Sequence, residues 1–163
     1  VFSRGKGHSV VQKAAYRSGQ KLFDQSMGET HDFTRKRGVI QTEILAPEHA
    51  PEWMRDRERL WNAVEFREAR KDSQLAREVE LAIPRELSAE ARFEVVREFV
   101  RDHFVSQGMV ADVCWHAPDS DKPHAHIMLT MRALDDADPC GFGEKVRAWN
   151  ARANVLEWRG QWA

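Results

Sequence analysis

Cysteines are scarce in this sequence, and long apolar runs are missing. Cys114 and Cys140 are the two cysteines among 163 residues, and their separation matches neither a zinc-ligand spacing nor a disulfide scaffold. No run approaches the roughly 20 apolar residues that a membrane-spanning helix needs, and nothing resembles a signal peptide. These absences argue against a disulfide-stabilised miniprotein and against a membrane-spanning helix. They predict a reduced, cytoplasmic protein without membrane insertion.

Length and composition indicate one globular domain. Hydrophobic residues make up 42% of the chain and charged residues 31%, which is typical of a soluble domain with a core of its own. The net charge is −1, but residues 1–40 carry eight lysines and arginines against three acids, so this region is +5 and the remainder −6. A basic region is typical of a nucleic-acid contact. A solvated charged surface is an equally good interpretation of the charge alone.

Residues 113–128 form two short runs separated by turn formers. Side chains alternate along a strand, so Cys114 and His116 project to one side of the first run. His124 and His126 share one side of the second run. The seven residues between the runs include two prolines and three charges, which favour a loop. The pattern therefore predicts a β-hairpin with three imidazoles at its mouth.

Three histidines in such a place can bind a divalent metal ion. Neutral imidazoles leave the metal's charge undiminished and other coordination positions open, as in catalytic sites. A His-x-His pair alone is more often solvated on an exposed sheet face, but a third histidine across the hairpin favours the metal site. Mn²⁺ is the expected ion, with Mg²⁺ able to support turnover, because imidazoles hold Mn²⁺ better than Mg²⁺.

Hydrophobic periodicity predicts an α+β fold. Strands are expected at 39–45 and 77–83 and in the hairpin, and helices at 51–72, from Ser88 to before Gly108, and at 144–158. Residues 23–38 and the stretch after Met131 are predicted to be loops. We expect a central antiparallel sheet of about five strands with helices mainly on one face. Glu78 and Glu80 would then share the open face with the histidines.

The only tyrosine, Tyr16, lies on a predicted helix. The segment from Ser9 to Gln12 is typical of a capping box. A helical wheel gives one buried stripe of Val10, Val11, Ala14, Ala15 and Ser18. Tyr16 falls nearly opposite this stripe, although packing against another segment is the structural alternative. The loop before the helix, residues 3–8, suits the close approach of a phosphate.

A tyrosine near a metal site and a basic loop indicates phosphoester chemistry. A phenol is a poor nucleophile at neutral pH, but a metal bound to phosphodiester oxygens stabilises the charge of the transition state. Glu80 would accept the phenolic proton or orient a ligand histidine. The product would be a phosphotyrosine linkage to DNA and a free hydroxyl on the other fragment, in a reversible step.

Several segments of the chain resemble relaxases of the MobA/MobL type (MOBQ-like), members of the HUH endonuclease superfamily. The similar segments are residues 14–19, 77–84, 123–126, 32–35 and 147–150. The resemblance implies a palm-like five-stranded antiparallel sheet, nicking at a plasmid origin of transfer, and capture of the 5′ end by tyrosine. Tyr16 matches the nucleophile, and His116, His124 and His126 match the metal ligands. Glu80, and in second place Glu78, matches the active-site acid.

The substrate implied by the resemblance is single-stranded DNA at an origin of transfer. The expected DNA contacts are Ser3, Arg4, Lys6, Arg17, Arg35, Lys36 and Arg37, and backbone contacts of this kind make affinity fall with salt. Accessory relaxosome and coupling proteins are the implied partners of a monomeric, bacterial protein that can enter the recipient cell with the DNA.

Three other interpretations are open. A rolling-circle replication initiator of the same superfamily would place its tyrosine after the histidines, whereas Tyr16 precedes them. A metal phosphodiesterase that activates water would leave Tyr16 structural. A DNA-binding module would use only the basic region.

We expect residues 1–163 to be a single relaxase domain and a fragment of a longer protein. The chain begins at Val1-Phe2 without methionine, so most of the family's first strand is expected to be missing. Many relatives continue into a helicase or primase region, and unwinding is therefore not assigned to this chain.

Overall fold

The computed structural model describes residues 1–117 and 122–162. Within these ranges the chain forms nine strands and four α-helices, joined by loops and short 3-10 turns. The strands are β1 (Phe2–Ser3), β2 (Lys21–Asp24), β3 (Glu29–Asp32), β4 (Val39–Leu45), β5 (Gln74–Ala82), β6 (Ala111–His116), β7 (His124–Leu129), β8 (Arg132–Leu134) and β9 (Phe142–Lys145). The helices are α1 (Val10–Ser18), α2 (Arg57–Arg67), α3 (Ala89–His103) and α4 (Arg152–Trp162). The predicted α+β class is confirmed.

Five strands form one antiparallel sheet in the order β1-β5-β7-β6-β4. The central strand β7 pairs along its whole length with β5 on one side and β6 on the other. β1 is a two-residue edge strand that pairs with the start of β5. The predicted five-stranded sheet and central hairpin are confirmed. The predicted loop at the hairpin tip includes residues 118–121, which lie outside the described residues.

Helices cover both faces of this sheet. On one face, α3 and α4 pack against alternating strand residues such as Leu81, Val113 and Ile127. On the other face, α1 and α2 pack against Ile44 and Met128. The structure thus differs from the expectation of helices mainly on one face, because the apolar stripe of α1 is buried there. The polar residues of this second face meet α1 instead of open solvent.

The start and end of α1 are held by specific contacts. The Ser9 hydroxyl accepts a hydrogen bond of 3.2 Å from the backbone N–H of Gln12, as the capping pattern predicts. A carboxylate oxygen of Glu65 on α2 accepts another from the N–H of Val10, at 2.9 Å. The helix ends at Gly19, whose φ of +65° is the left-handed conformation that favours glycine. The predicted stripe is buried in full: Val10, Val11, Ala14, Ala15 and Ser18.

Two predicted helices have different bounds in the structure. The helix expected at 51–72 is a 3-10 turn at Glu52–Arg55 followed by α2. The two are separate because the Asp56 carboxylate caps α2 by accepting from the N–H of Arg59. The helix expected at 144–158 is replaced by β9, a 3-10 turn and α4, which begins at Arg152.

Two hairpins stand where loops were expected. β2 pairs with β3, and β8 pairs with β9. The first hairpin has the polar residues Asp24 and His31 on its buried side, where they contact each other at 3.1 Å. The Ser9 hydroxyl donates to the same Asp24 carboxylate at 2.5 Å. A hydrophobic pattern does not reveal this hairpin, because only Leu22 of its buried side chains is apolar.

Within residues 1–117 and 122–162, every helix falls short of the length and apolar character that a membrane span requires.

A buried ion pair fastens α2 to β6 below the histidines. Asp112 is 2% exposed, and its carboxylate accepts hydrogen bonds of 2.8–3.0 Å from the guanidinium of Arg57. The indole N–H of Trp61 donates to the same carboxylate at 2.8 Å. The Asp112 carboxylate thus compensates the buried charge of Arg57.

Replacing Asp112 by asparagine should strongly destabilise the fold. The substitution Asp112→Asn leaves the Arg57 guanidinium buried without its counter-charge, and breaking a buried pair in this way costs about 3–5 kcal/mol. The free energy of unfolding from urea denaturation measures the loss. The matched control is Asp72→Asn, which removes a carboxylate paired with Arg70 in solvent and should change stability by at most about 0.5 kcal/mol. Equal stability of the two variants would contradict the role of the pair.

Candidate metal centre and active site

The hairpin of β6 and β7 brings three histidine rings together. His116 lies opposite His124 in the strand register, and His126 lies opposite Cys114 on the same face. The three ring centres are 4.8–5.1 Å apart, and one nitrogen from each ring lies within 4.8 Å of the others. This is the convergence that the sequence pattern predicts.

The other ring nitrogens face oxygen atoms of the protein. His116 Nε2 lies 2.7 Å from the Arg17 carbonyl, and His124 Nδ1 lies 2.9 Å from the Lys122 carbonyl. When the two rings are neutral, His116 Nε2 and His124 Nδ1 therefore carry the protons and donate to these carbonyls. This leaves His116 Nδ1 and His124 Nε2 with free lone pairs. Metal-binding histidines typically have one nitrogen held by a carbonyl or carboxylate in this way.

His126 completes the set and is adjacent to a carboxylate. Its Nδ1 is buried without a hydrogen-bond partner among the described residues, at 3.5 Å from Glu78 Oε1. A carboxylate at Nδ1 is placed to orient a metal-binding histidine through the nitrogen that does not hold the metal. The donor set of three imidazoles also fits a divalent transition metal. The residues present are therefore compatible with the metal that the sequence predicts.

The electrostatics of the site favour a neutral His116 and an ionised Glu78. Burial is the main cause that lowers the pKa of His116 to about 4, and the nearby charges of His126 and Lys36 lower it further. Burial alone would raise the pKa of Glu78, but its contacts with His126 and Arg17 outweigh this and hold the pKa at about 2.

Glu78 and Glu80 differ in what they contact. The Glu78 carboxylate forms an ion pair with the Arg17 guanidinium, which links β5 to α1. Glu80 is exposed and lies opposite His126 in the strand register. One carboxylate oxygen of each glutamate lies within 4.8 Å of the other and of a nitrogen of His126. The sequence favours Glu80 over Glu78, whereas the polar contacts of the structure belong to Glu78.

Tyr16 is exposed on the helix end that contacts this centre. Half of its surface is accessible, as its position opposite the buried stripe of α1 predicts. Its ring packs edge-on against Phe33, with ring centres 5.2 Å apart, and the Lys36 ammonium lies over its face at 3.6 Å. The residue after it, Arg17, has its carbonyl on His116, so the end of α1 that carries Tyr16 contacts the histidine cluster directly.

The seven candidate DNA contacts have different surroundings. Lys6, Arg35 and Arg37 are exposed. The Arg4 guanidinium is half-buried and donates to the carbonyls of Glu65 and Arg70 and to the Glu65 carboxylate.

The other three candidates are also in contact with protein groups. The backbone N–H of Ser3 donates to His8 Nδ1 at 3.0 Å. Arg17 pairs with Glu78, and Lys36 contacts Tyr16. The structure therefore groups Arg17 and Lys36 with the histidine and tyrosine site.

Sequence reasoning missed two contributors to this centre. Phe33 lies in a segment predicted as loop, and the backbone carbonyl of Lys122 carries no sequence signal because every residue has one. The hydrogen bond between the Arg17 carbonyl and His116 does have a sequence signal. Arg17 lies near the predicted end of the helix, where carbonyls lack partners within the helix.

The protein is an α+β domain built on an antiparallel sheet of five strands with helices on both faces. Three histidines converge on one face of that sheet. Residues 8–163 match the MobA/MobL family, and the chain belongs to that family. It is 43% identical over 155 residues to "Conjugal transfer protein TraA" of Rhizobium radiobacter, covering 89% of the chain and 14% of that protein. It is 40% identical over 117 residues to "Mobilization protein MobL" of Acidithiobacillus ferridurans, covering 72% of the chain and 30% of that protein.

A solved structure is also similar to this chain. Its title is "Molecular Basis of Vancomycin Resistance Transfer in Staphylococcus aureus", and the two share 33% sequence identity with a TM-score of 0.90. The similarity covers 98% of this chain and 84% of the other. This chain therefore shares its fold with the solved structure over nearly its whole length. The chain spans only 14% of the length of the TraA relative.

The titration of His116 predicts that the metal-free protein loses stability in mild acid. Its pKa is about 4 in the fold and 6.5 ordinarily, so protons bind the unfolded chain more readily as the pH falls from 6.5 to 4. The loss is on the order of 3 kcal/mol. Glu78 adds a second loss at lower pH, from 4.5 to about 2, because its stabilising charge is removed. Urea denaturation with a chelator across this pH range measures both.

The variant His116→Asn tests the loss of stability between pH 6.5 and 4 separately from the loss that Glu78 causes. It should flatten the pH dependence between 6.5 and 4 and leave the loss below 4.5 in place. A smaller slope remains in the variant, because the pKa of His8 is also lowered, mainly by burial. An unchanged slope in His116→Asn would contradict the burial of a neutral imidazole.

Proposed function

We propose that this domain is a DNA relaxase, which nicks one strand at a plasmid origin of transfer and rejoins it through a covalent link to Tyr16. The observation that carries the proposal is the 2.7 Å contact between the Arg17 carbonyl and His116, because it sets the helix of the only tyrosine on a three-histidine cluster. Membership of the MobA/MobL family and the names of the TraA and MobL relatives support the same activity.

The proposed step is a transesterification. The phenolic oxygen of Tyr16 attacks a backbone phosphorus, a new oxygen–phosphorus bond forms, and the bond from phosphorus to the 3′ oxygen breaks. The phenolic proton passes to a base, and the departing 3′ oxygen gains a proton to become a hydroxyl. The ester count does not change, so the 3′ hydroxyl can reverse the step and restore the strand.

His116, His124 and His126 are proposed to hold the divalent metal. When bound, Mn²⁺, or Mg²⁺ in its place, supplies positive charge that stabilises the phosphate oxygens in the transition state. The Arg17 and Lys122 carbonyls orient two of the rings, and Glu78 orients the third. The metal preference follows from the imidazole ligands.

The two glutamates are suited to different tasks. With a pKa of about 2 and an ion pair to Arg17, Glu78 is a weak proton acceptor and a good orienting group for His126. Glu80 is exposed beside it and is the proposed acceptor of the phenolic proton.

Single-stranded DNA is the proposed substrate, contacted by the exposed Lys6, Arg35 and Arg37, of which the two arginines flank Lys36 beside Tyr16. Such contacts are with the sugar-phosphate backbone, and their affinity falls with salt. Ser3, Arg4 and Arg17 would act mainly by shaping the protein around this surface. Accessory proteins of the transfer complex are the proposed partners of the domain.

A covalent protein–DNA adduct is the expected result with a single-stranded oligonucleotide that carries the candidate origin and a fluorophore at its 3′ end. With Mn²⁺, the labelled fragment should stay attached to the protein on a denaturing gel, because the link is made to its 5′ phosphate. Tyr16→Phe and excess chelator should each abolish the adduct and the nick, since both remove a component of the reaction.

Other outcomes of this experiment identify the alternatives. Cleavage that persists in Tyr16→Phe without an adduct would indicate hydrolysis by activated water. Binding without cleavage, unaffected by the chelator, would indicate a DNA-binding module. Either outcome contradicts the proposal.

Removing one imidazole should separate metal binding from DNA binding. Even the loss of an outer-shell partner of a metal ligand costs about 10- to 100-fold in affinity, so His126→Ala should weaken Mn²⁺ binding by at least about 100-fold and reduce cleavage in parallel. Oligonucleotide affinity should change little. Calorimetry with Mn²⁺ and fluorescence anisotropy with the oligonucleotide measure the two affinities.

His49→Ala is the matched control for this experiment, because His49 is exposed and outside the cluster of three histidines. It should keep metal affinity, cleavage and DNA affinity. An equal loss of all three in His126→Ala would indicate a folding defect and contradict its role as a ligand.

A further inference from the structure

Lys36 faces Tyr16, unlike the residues on either side of it. Its Nζ donates a hydrogen bond of 2.7 Å to the Tyr16 carbonyl and lies 3.6 Å from the centre of the Tyr16 ring. Arg35 and Arg37 are exposed, whereas Lys36 is half-buried. Of these three consecutive cations, the two arginines are free to meet phosphate and the lysine is engaged with the tyrosine.

The segment that carries Lys36 is held in shape by its own contacts. The Phe33 carbonyl accepts a hydrogen bond of 2.9 Å from the Lys36 backbone N–H, and the Phe33 and Tyr16 rings meet at a right angle. The Asp32 carboxylate accepts from the backbone N–H and the hydroxyl of Thr34, at 3.0 and 2.6 Å. The Tyr16 ring therefore contacts an aromatic ring and a cation that belong to one preformed turn.

Lys36 and His116 contact consecutive carbonyls at the end of α1, those of Tyr16 and Arg17. Burial lowers the pKa of Lys36, and the charge of Arg17 lowers it further. The charge of Lys36 is in turn one of those that lower the pKa of His116. Lys36 thus lies near both the proposed nucleophile and a proposed metal ligand, with part of its surface shielded from water.

We propose that Lys36 is a positioning residue that holds Tyr16 for attack, and that it does not act as a contact to the DNA backbone. This inference rests on the proposed function. A cation over an aromatic face stabilises that ring orientation by about 0.5–2 kcal/mol, and a cation on a carbonyl near the end of a helix is also favourable. Misplacing a reacting group by about 1 Å can cost about 100-fold in rate.

The test separates the rate of the chemical step from DNA affinity. With the 3′-fluorescent oligonucleotide, Mn²⁺ and saturating protein, Lys36→Met should lower the single-turnover rate of adduct formation by about 10- to 100-fold. Its dissociation constant for the oligonucleotide, and the salt dependence of that constant, should stay within about twofold of the unsubstituted chain. Lys36→Arg keeps a cation that can stack and donate, and should recover the rate to within about threefold.

Two further variants provide the references. Arg37→Met gives the signature of a lost phosphate contact: weaker binding, with a slope of log affinity against log salt that is smaller by about 0.7. Lys71→Met removes an exposed lysine in the loop before β5 and should match the unsubstituted chain in rate and affinity.

Several results would overturn the inference. An unchanged rate in Lys36→Met would remove the positioning role, and weaker binding with a smaller salt slope would make Lys36 a phosphate contact. Equal losses in Lys36→Met and Lys36→Arg would point to general damage to the turn. If the unsubstituted chain forms no adduct, the proposed function fails and the role of Lys36 fails with it. An active chain with an unaffected Lys36→Met variant removes only the role of Lys36.

Discussion

The contact between the end of α1 and His116 is the interaction on which the site depends. A helix leaves its last carbonyls without partners inside the helix, and here two consecutive carbonyls, of Tyr16 and Arg17, accept from Lys36 and His116. One hydrogen bond thereby fixes the tautomer of His116 and brings the helix end that carries Tyr16 to it, although 99 residues separate the two bonded groups. The ion pair of Arg17 with Glu78 ties the same turn of helix to β5.

The polar face of the sheet changes character along β6. Asp112 is deep in the protein and is matched by the Arg57 guanidinium and the Trp61 indole. Cys114 follows, and burial is the main cause that raises the pKa of its thiol, with Asp112 adding to the effect. His116 ends the strand and is still buried, yet it is neutral and paired through one nitrogen. The charge of Asp112 is thus balanced by Arg57 near the start of β6. The histidines near its end keep the nitrogen lone pairs that a cation would need.

Sequence reasoning recovered the features that depend on simple periods. The alternation in β6 and β7 gave the hairpin and the convergence of His116, His124 and His126, and the wheel of α1 gave the exposed Tyr16. It failed where burial is mostly polar, since Asp24 and His31 join Leu22 on the buried side of the hairpin of β2 and β3. It also failed where long-range contacts decide: the packing of α1 and α2 onto the second face has no local signature. The contact of Lys36 with Tyr16 could not be predicted either, because its neighbours Arg35 and Arg37 are also basic.

The position of β7 has a consequence for how the chain acquires its shape. β5 and β6 are not neighbours in the sheet, and each pairs with β7 instead. A ribosome-bound chain therefore holds two unpaired strand edges until residue 129 has left the exit tunnel, and the middle of the sheet closes only then. Folding is slow when it requires pairing between strands that are far apart in the sequence. Until that pairing forms, the unpaired strand edges are prone to aggregation. Newly synthesised chains of this topology should depend on protection from chaperones, and shortened versions that end before β7 would lack the strand that joins the two halves.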